Sequence, residues 1–288
     1  MAESSSSKLH LWGSRAATPA HSSRPVPPPL AGNWNDPHLL YVSETLSPPS
    51  IPPAETPEPY SLQWFLEIEH VRHNRFGRWL PAVLEFGKHA AETILVMGTG
   101  LGTDWVQYAR QGASVIVCSP SAEQIALVRR NFELRELPAR FVQAMPTSLP
   151  IDPASIDVVC LSDLVHQVRA PEQLADEVYR VLKPGGKVLA VTPGCHNIDF
   201  WSRLLLPWRW RFWSSVRPDK QLYSKRRLRG LFHRYVEHHV HKRHLRRADV
   251  PHAWRLVPTR MLERLIGRTL ILKAFKPLSA AISVPLAA

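Results

Sequence analysis

Short apolar runs alternate with amphipathic stretches through the middle of the chain. Each run is brief, apolar along its length and rich in β-branched residues, which is typical of buried strands: TILVMG, ASVIVCS, ARFVQAM, SIDVVCLS and KVLAVTP. Between them, SAEQIALVRRNFELREL and APEQLADEVYRVLKPGG carry apolar residues at helical spacing. Strands that alternate with helices and are apolar on both faces indicate a mostly parallel sheet covered by helices on each side.

Segments of different composition flank this alternation. Residues 1–58 are rich in proline and serine, so they are predicted to be disordered because they cannot bury enough apolar surface. Residues 59–277 are predicted to form the folded domain, and residues 278–288 a flexible tail. Within the domain, residues 196–257 interrupt the strand and helix pattern and are predicted to be a basic insert or lid before the final strands.

The positive charge of the chain is concentrated in that insert. The net charge is +12, and residues 201–247 alone contain 14 Lys or Arg against two acidic residues. Tryptophan and arginine alternate in FWSRLLLPWRWRFWSSVRP, which is typical of a peripheral membrane contact through residues 201–217. A nucleic-acid surface is the less favoured alternative because LLLPW is apolar, and a cover packed on the domain stays open.

No apolar run is long enough to predict a transmembrane helix, so we expect a cytoplasmic protein that can attach to the membrane periphery. The three cysteines show no spacing typical of zinc sites or disulfide frameworks. Five histidines between residues 233 and 244 come without a carboxylate or cysteine cluster, so we predict no metal site there. No obligate protein partner is inferred.

Three alternate glycines follow the first predicted strand, in VMGTGLGTD. Gly98, Gly100 and Gly102 let the backbone turn tightly and approach a ligand where strands of an open parallel sheet end. The dinucleotide fingerprint needs its third glycine at position 103, which is threonine, so a nicotinamide enzyme is disfavoured.

Three further segments give the loop a family context. Together with VMGTGLGTD, the stretches LPIDPASIDVVCLSDLVHQV, EVYRVLKPGGKVLAVTP and LIGRTLILKAFKP resemble the class I S-adenosylmethionine-dependent methyltransferases, in particular the small-molecule type 11 group. The resemblance implies a Rossmann-like sheet of seven strands with an antiparallel last strand. It also implies S-adenosylmethionine as cofactor and a small-molecule methyl acceptor, with an apolar or membrane-associated acceptor favoured by the insert.

The resemblance also assigns site residues. The positions that correspond to the family's cofactor pocket are Gly98, Thr99, Gly100, Gly102, Asp104, Ser119, Pro120, Met145 and Ser162. His166, in DLVHQV, corresponds to a family histidine that faces the active site, and is the candidate general base. A histidine that packs at the start of a helix is the alternative interpretation, with Asp163 as the helix cap.

Three positions depart from the family pattern. Val96, Ser119 and Met145 stand where the family usually has a carboxylate toward the cofactor. Each lost charge-assisted hydrogen bond costs about 1.5–3 kcal/mol, although Asp104 or Glu123 could compensate. The alternative to an active enzyme is therefore a degenerate methyltransferase fold that acts as a non-catalytic scaffold or binds an anionic membrane or RNA surface.

Overall fold

The computed structural model describes residues 57–198, 200–201, 222–245 and 257–278. Most of the predicted disordered segment, most of the tryptophan-rich membrane contact and almost all of the predicted tail lie outside the described residues. Among the described residues, no helix combines the length and the apolar character needed to cross a bilayer.

Helices and strands alternate as the sequence predicts. The helices are α1 (Leu62–His70), α2 (Leu80–Leu84), α3 (Trp105–Arg110), α4 (Ala122–Glu133), α5 (Pro171–Val181), α6 (Lys225–Leu231) and α7 (Thr259–Ile266), with a π-helix over Val71–Phe76 and a 3₁₀ turn over Phe86–Lys88. The strands are β1 (Thr93–Gly98), β2 (Ser114–Ser119), β3 (Arg140–Gln143), β4 (Ile156–Ser162), β5 (Leu182–Pro193), β6 (Val236–Arg243) and β7 (Thr269–Phe275).

The strands form one seven-stranded sheet in the order β3-β2-β1-β4-β5-β7-β6. Strands β1 to β5 pair in parallel, while β7 is antiparallel to both β5 and β6. The predicted fold class, a mostly parallel sheet whose last strand is antiparallel, is confirmed. Part of the basic segment belongs to this sheet, because β6 lies inside the range predicted as an insert.

Both faces of the sheet are buried. In β1, Leu95 and Met97 belong to the apolar cluster on one face, whereas Ile94 and Val96 belong to the cluster on the other face. All four side chains are fully buried. This double burial explains why the strands read as continuous apolar runs, since successive side chains point to opposite faces.

The order of the strands reverses between β1 and β4. The chain proceeds from β1 to β2 and β3 on one side, and then returns to place β4 on the other side of β1. Such a switch point leaves a crevice beyond the carboxyl ends of the two strands, where open α/β sheets bind ligands. The glycine loop follows β1 at this crevice, and Gly98 is paired with Ser162 at the end of β4.

The histidines of the basic segment are distributed around β6. The strand itself contains His238, His239 and His241, with His239 and His241 exposed. Within the described part of the chain, no group of three or more His, Cys, Asp or Glu side chains is arranged to hold a metal ion. All three cysteines are free thiols, and Cys118 and Cys160 are buried as apolar residues of the core.

A buried carboxylate, Glu85, joins the segment after α2 to two strands. Lys187 Nζ in β5 lies 2.6 Å from one carboxylate oxygen, and Lys273 Nζ in β7 lies 2.7 Å from the other. Lys88 adds a third contact at 3.2 Å. Burial alone would raise the pKa of Glu85, but the three ammonium groups outweigh it and lower the pKa to about 2.

We expect Glu85→Gln to lower the free energy of unfolding by about 3 kcal/mol at pH 7, from a pKa difference of about two units between the folded and unfolded chain. Because the folded pKa is depressed, this contribution is present above about pH 4.5 and disappears as the pH falls toward about 2. Urea denaturation at several pH values measures it. Glu133→Gln, at an exposed position of α4, is the control; an equal loss in both variants would contradict the prediction.

Candidate functional site

The loop between β1 and α3 forms the floor of a cleft at the switch point. The cleft encloses about 380 Å³, counting the part that is open to solvent. It is lined by Arg72, Thr99, Gly100, Leu101, Gly102, Thr103, Asp104, Trp105, Ser162 and Asp163. Five of the predicted cofactor residues are therefore together in one cleft: Thr99, Gly100, Gly102, Asp104 and Ser162.

Two of the loop glycines are required by close contacts. A Cβ atom on Gly98 would lie 1.9 Å from the carbonyl oxygen of Ser162, so only glycine lets β1 and β4 end side by side. At Gly102 a Cβ would lie 2.7 Å from Val128 of α4, and the backbone φ is +75°. The glycine spacing thus brings the loop close to both its strand neighbour and the following helix.

Two side chains of helix α4 hold the glycine loop by donating hydrogen bonds to the backbone carbonyl oxygens of the loop. The side-chain nitrogen Nε2 of Gln124 donates to Gly98 O at 2.9 Å and to Gly100 O at 3.1 Å. About two turns further along the same face of the helix, the side-chain amide of Asn131 donates to Leu101 O at 2.8 Å. These two amides fix the loop conformation, and sequence reasoning did not identify them. A signal was present, since polar residues seven positions apart share the inner face of an amphipathic helix with Val128.

Ser119 takes part in the hydrogen bonds that position Gln124. Its hydroxyl donates to the Gln124 side-chain oxygen at 2.7 Å and accepts from the backbone nitrogen of Ser121 at 3.1 Å. The side chain is buried, and Ser119 does not line the cleft. The hydroxyl at the family's usual acid position is therefore engaged in holding Gln124.

Thr99 lines the cleft and carries a hydroxyl whose hydrogen-bonding capacity is unused by the described part of the chain. Its Oγ1 atom is buried and has no hydrogen-bond partner among the described residues. A buried hydroxyl without a partner carries a desolvation cost that a bound ligand can recover. Beside it, Asp163 is buried with a φ of +53°, an uncommon conformation for a residue with a side chain.

An N-terminal latch closes one side of the cleft. We use this name for Arg72 and His73 of the π-helix, which both bind the buried Asp104 carboxylate. Arg72 Nε donates to Oδ1 at 2.7 Å while its Nη2 donates to Oδ2, and His73 Nε2 lies 2.9 Å from Oδ1. Burial alone would raise the pKa of Asp104, but the Arg72 charge and the hydrogen bonds from both residues hold it well below its usual range.

Helix α1 is clamped onto the domain beside the latch. Glu69 forms ion pairs with Arg110 of α3 and with Arg135 after α4, each at 2.6 Å. Phe65 packs on Leu101 of the loop, in one buried cluster. The side chains of Glu69 and Arg72 are only 16% and 18% exposed, so both belong to the contact between this N-terminal segment and the rest of the domain.

The remaining predicted site residues lie outside the cleft lining. Met145 is largely exposed, and Pro120 is exposed after β2. His166 is buried, in a turn three residues after Asp163. Its alternative interpretation as a residue at a helix start is wrong, because α5 begins only at Pro171 and Asp163 caps no helix.

The comparisons with known proteins agree with this geometry. Residues 95–190 match the family model described as a methyltransferase domain. This stretch contains the glycine loop and runs from β1 into β5, so the predicted resemblance to methyltransferases is confirmed over these residues.

Curated relatives share the same region. The chain is 36% identical over 100 residues to a demethylmenaquinone methyltransferase of Clavibacter sepedonicus, a match that covers 35% of this chain and 40% of the relative. It is 28% identical over 117 residues to a demethylmenaquinone methyltransferase of Thermus thermophilus, covering 40% of this chain and 53% of the relative. The chain thus spans about half the length, or less, of these two relatives.

Solved structures share the fold. Phosphoethanolamine N-methyltransferase 2 of Haemonchus contortus, in complex with S-adenosyl-L-methionine, is 16% identical with a TM-score of 0.51 and covers 76% of this chain and 58% of its own. The [4+2]-cyclase SpnF is 17% identical with a TM-score of 0.52 and covers 70% and 81%. Because a cyclase and a methyltransferase share this architecture, the fold alone does not fix the reaction.

Proposed function

We propose that the protein binds S-adenosylmethionine in the cleft at the switch point and transfers its methyl group to a small-molecule acceptor. The observation that carries the proposal is the glycine loop, held by α4 with the unpartnered Thr99 hydroxyl in the cleft. The match of residues 95–190 to methyltransferase domains supports it.

The residues of the cleft fit the methionine end of this cofactor. That end carries an ammonium, a carboxylate and a sulfonium, and the cleft offers a carboxylate on Asp104 and a guanidinium on Arg72 of complementary charge. The loop glycines permit close backbone approach, and Thr99 supplies a hydroxyl. Since Arg72 and Asp104 bind each other here, their pairing competes with binding of the cofactor.

The fit is weaker at the adenosine end. Val96 is fully buried in the core, Ser119 is engaged with Gln124, and Met145 points largely into solvent. None of these positions offers a carboxylate for the ribose hydroxyls or the adenine amino group. Glu123, the acidic residue in the first turn of α4, is exposed.

If position 119 faces the ribose, Ser119→Asp should tighten binding of S-adenosylhomocysteine by about tenfold, because a carboxylate accepts both ribose hydroxyls with charge assistance. The substitution also removes the hydroxyl that donates to Gln124. Calorimetric titration of wild type and variant measures the change. Ser119→Asn is the matched control, as it has nearly the same shape without the charge. Equal affinities of the Asp and Asn variants would show that position 119 does not face the ribose.

The bound cofactor would supply an activated methyl group, so the chain mainly has to align donor and acceptor and exclude water. His166 is the candidate base for an acceptor with a hydroxyl or phenol proton. The relatives' names make demethylmenaquinone the first acceptor to test. Incubation with methyl-labelled S-adenosylmethionine and demethylmenaquinone tests transfer, and label in the quinone is the expected result.

A non-catalytic role is the second candidate, and the missing carboxylates at positions 96, 119 and 145 favour it. In this role the latch between Arg72 and Asp104 would keep the cleft closed, and the protein would act through its basic surface. The absence of cofactor binding in a protein shown to be folded would decide for this candidate.

A further inference from the structure

Helix α7 leaves half of its apolar side uncovered. Leu262 and Ile266 are each 5% exposed, and they pack with Ile198 and Leu245 in a separate apolar cluster. Met261 and Leu265, four residues apart on the same helix, are 58% and 61% exposed. These two large side chains face solvent, although the helix is anchored by their neighbours.

The positions around the helix explain this division. At 100° per residue, the four apolar side chains span roughly 140° of the helix surface, with the buried pair at one edge of that arc and the exposed pair at the other. Arg260 and Arg264 follow directly beside Met261, and both are exposed. The solvent side of α7 is therefore two apolar residues flanked by two arginines, which we call the α7 face.

The face is held rigidly on the sheet. Lys242 of β6 is buried and donates at 3.0 Å to the carbonyl oxygen of Leu265, and at the same distance to the carbonyls of Cys195 and His196 after β5. Glu263, on the far side of the helix, pairs with Arg243 at 3.2 Å. The acidic residue of α7 is thus turned away from the α7 face and neutralised.

Two aromatic residues adjoin the apolar cluster under α7. Trp201 packs against it, and Phe200, in edge contact with Trp201, is 43% exposed. The cluster lies next to the pair formed by Pro193 and Thr269, where β5 ends and β7 begins. This is the carboxyl end of β5, and the cleft lies at the same end of the sheet. The exposed apolar residues therefore lie toward the end of the sheet at which the cleft opens.

We propose that the α7 face docks onto the surface of a lipid bilayer that contains anionic headgroups. Exposed apolar side chains at one helix edge, with arginines beside them, have the arrangement that inserts at the headgroup boundary, where the arginines meet negative charge. Charge complementarity selects this occupant, because the face has two cations and no acidic residue among its four members. The proposal does not depend on the proposed methyl transfer.

The test is co-sedimentation of the full chain with vesicles of phosphatidylcholine, with and without phosphatidylglycerol. We expect binding only to the vesicles that contain phosphatidylglycerol. Arg260→Gln/Arg264→Gln should weaken it by about 30-fold, at about 1 kcal/mol per arginine near the surface. Met261→Ser/Leu265→Ser should weaken it by roughly tenfold or more. Thermal unfolding shows whether each variant is folded.

Two matched controls are available on exposed residues elsewhere. Leu278→Ser removes a leucine that is 83% exposed near Gly185, at the opposite end of β5. Arg129→Gln/Arg140→Gln removes two exposed arginines around β3. Both should bind vesicles like wild type.

Three results would overturn the proposal. One is equal vesicle binding by wild type and both α7 variants. Another is loss of binding to single-stranded RNA in Arg260→Gln/Arg264→Gln while vesicle binding persists, which would make this a nucleic-acid surface. The third is a change of oligomeric state in Met261→Ser/Leu265→Ser, seen by light scattering, with vesicle binding unchanged; the face would then join two copies of the chain.

Discussion

Gly98→Ala is expected to lower the free energy of unfolding by roughly 2–6 kcal/mol, since overpacking and backbone strain each cost about 1–3 kcal/mol. The added methyl group would lie 1.9 Å from the Ser162 carbonyl oxygen, and the φ of Gly98 is +150°. Backbone cannot move aside as the end of a flexible side chain can, so β1 and β4 must separate where the cleft begins. Urea denaturation measures the loss.

Gly87→Ala is the control for Gly98→Ala. A Cβ atom on Gly87 would meet nothing within 4 Å. We expect this control to change stability by less than about 0.5 kcal/mol, as is usual for surface substitutions. A Gly98→Ala protein as stable as this control would show that the two strands do not converge as closely as described.

Asp104→Asn is expected to cost about 3 kcal/mol of stability at pH 7, because it leaves the Arg72 guanidinium without its counterion in a mostly buried place. Asp104 is 5% exposed and binds Arg72 in a bidentate manner. The folded pKa of Asp104 lies below its usual value, so the contribution is full above about pH 4 and is lost as the pH falls through the folded value. The difference between wild type and variant should therefore be constant from neutral to mildly acidic pH.

The pair of Asp176 and Arg234 provides the comparison, because the two side chains are 64% and 48% exposed. Asp176→Asn should cost less than about 1 kcal/mol. A double-mutant cycle of Asp104→Asn with Arg72→Met separates the coupling from other effects. A coupling energy no larger than that of the surface pair would mean that the contact between Arg72 and Asp104 stabilises the domain no more than an exposed ion pair does.

The central sheet and the glycine loop could be predicted because their signals are local. A strand buried on both faces is a continuous apolar run, as in Ile94 to Met97, and a tight turn after it needs glycine. The same locality made the RVLKPGG segment and the loop recognisable as methyltransferase motifs.

The contacts that close the cleft could not be predicted in this way. Arg72 and Asp104 are separated by 32 residues, and the local sequence around either residue does not indicate that the two side chains are in contact. Ser119 shows the reverse case: its place after β2 is right for a cofactor residue, but Gln124 five residues later binds its hydroxyl. Ion pairs and side-chain networks depend on how distant segments pack together, whereas strands and turns are largely determined by consecutive residues.

Titration calorimetry with S-adenosylmethionine measures whether the cleft at the switch point binds the cofactor. We expect saturable binding to the folded chain, and about tenfold weaker binding by Thr99→Val, which replaces the unpartnered Thr99 hydroxyl with a methyl group of similar size. Circular dichroism and thermal unfolding confirm that both proteins are folded. No heat of binding at millimolar cofactor, on the order of the weakest specific affinities, would contradict the assignment of this cleft as a cofactor site.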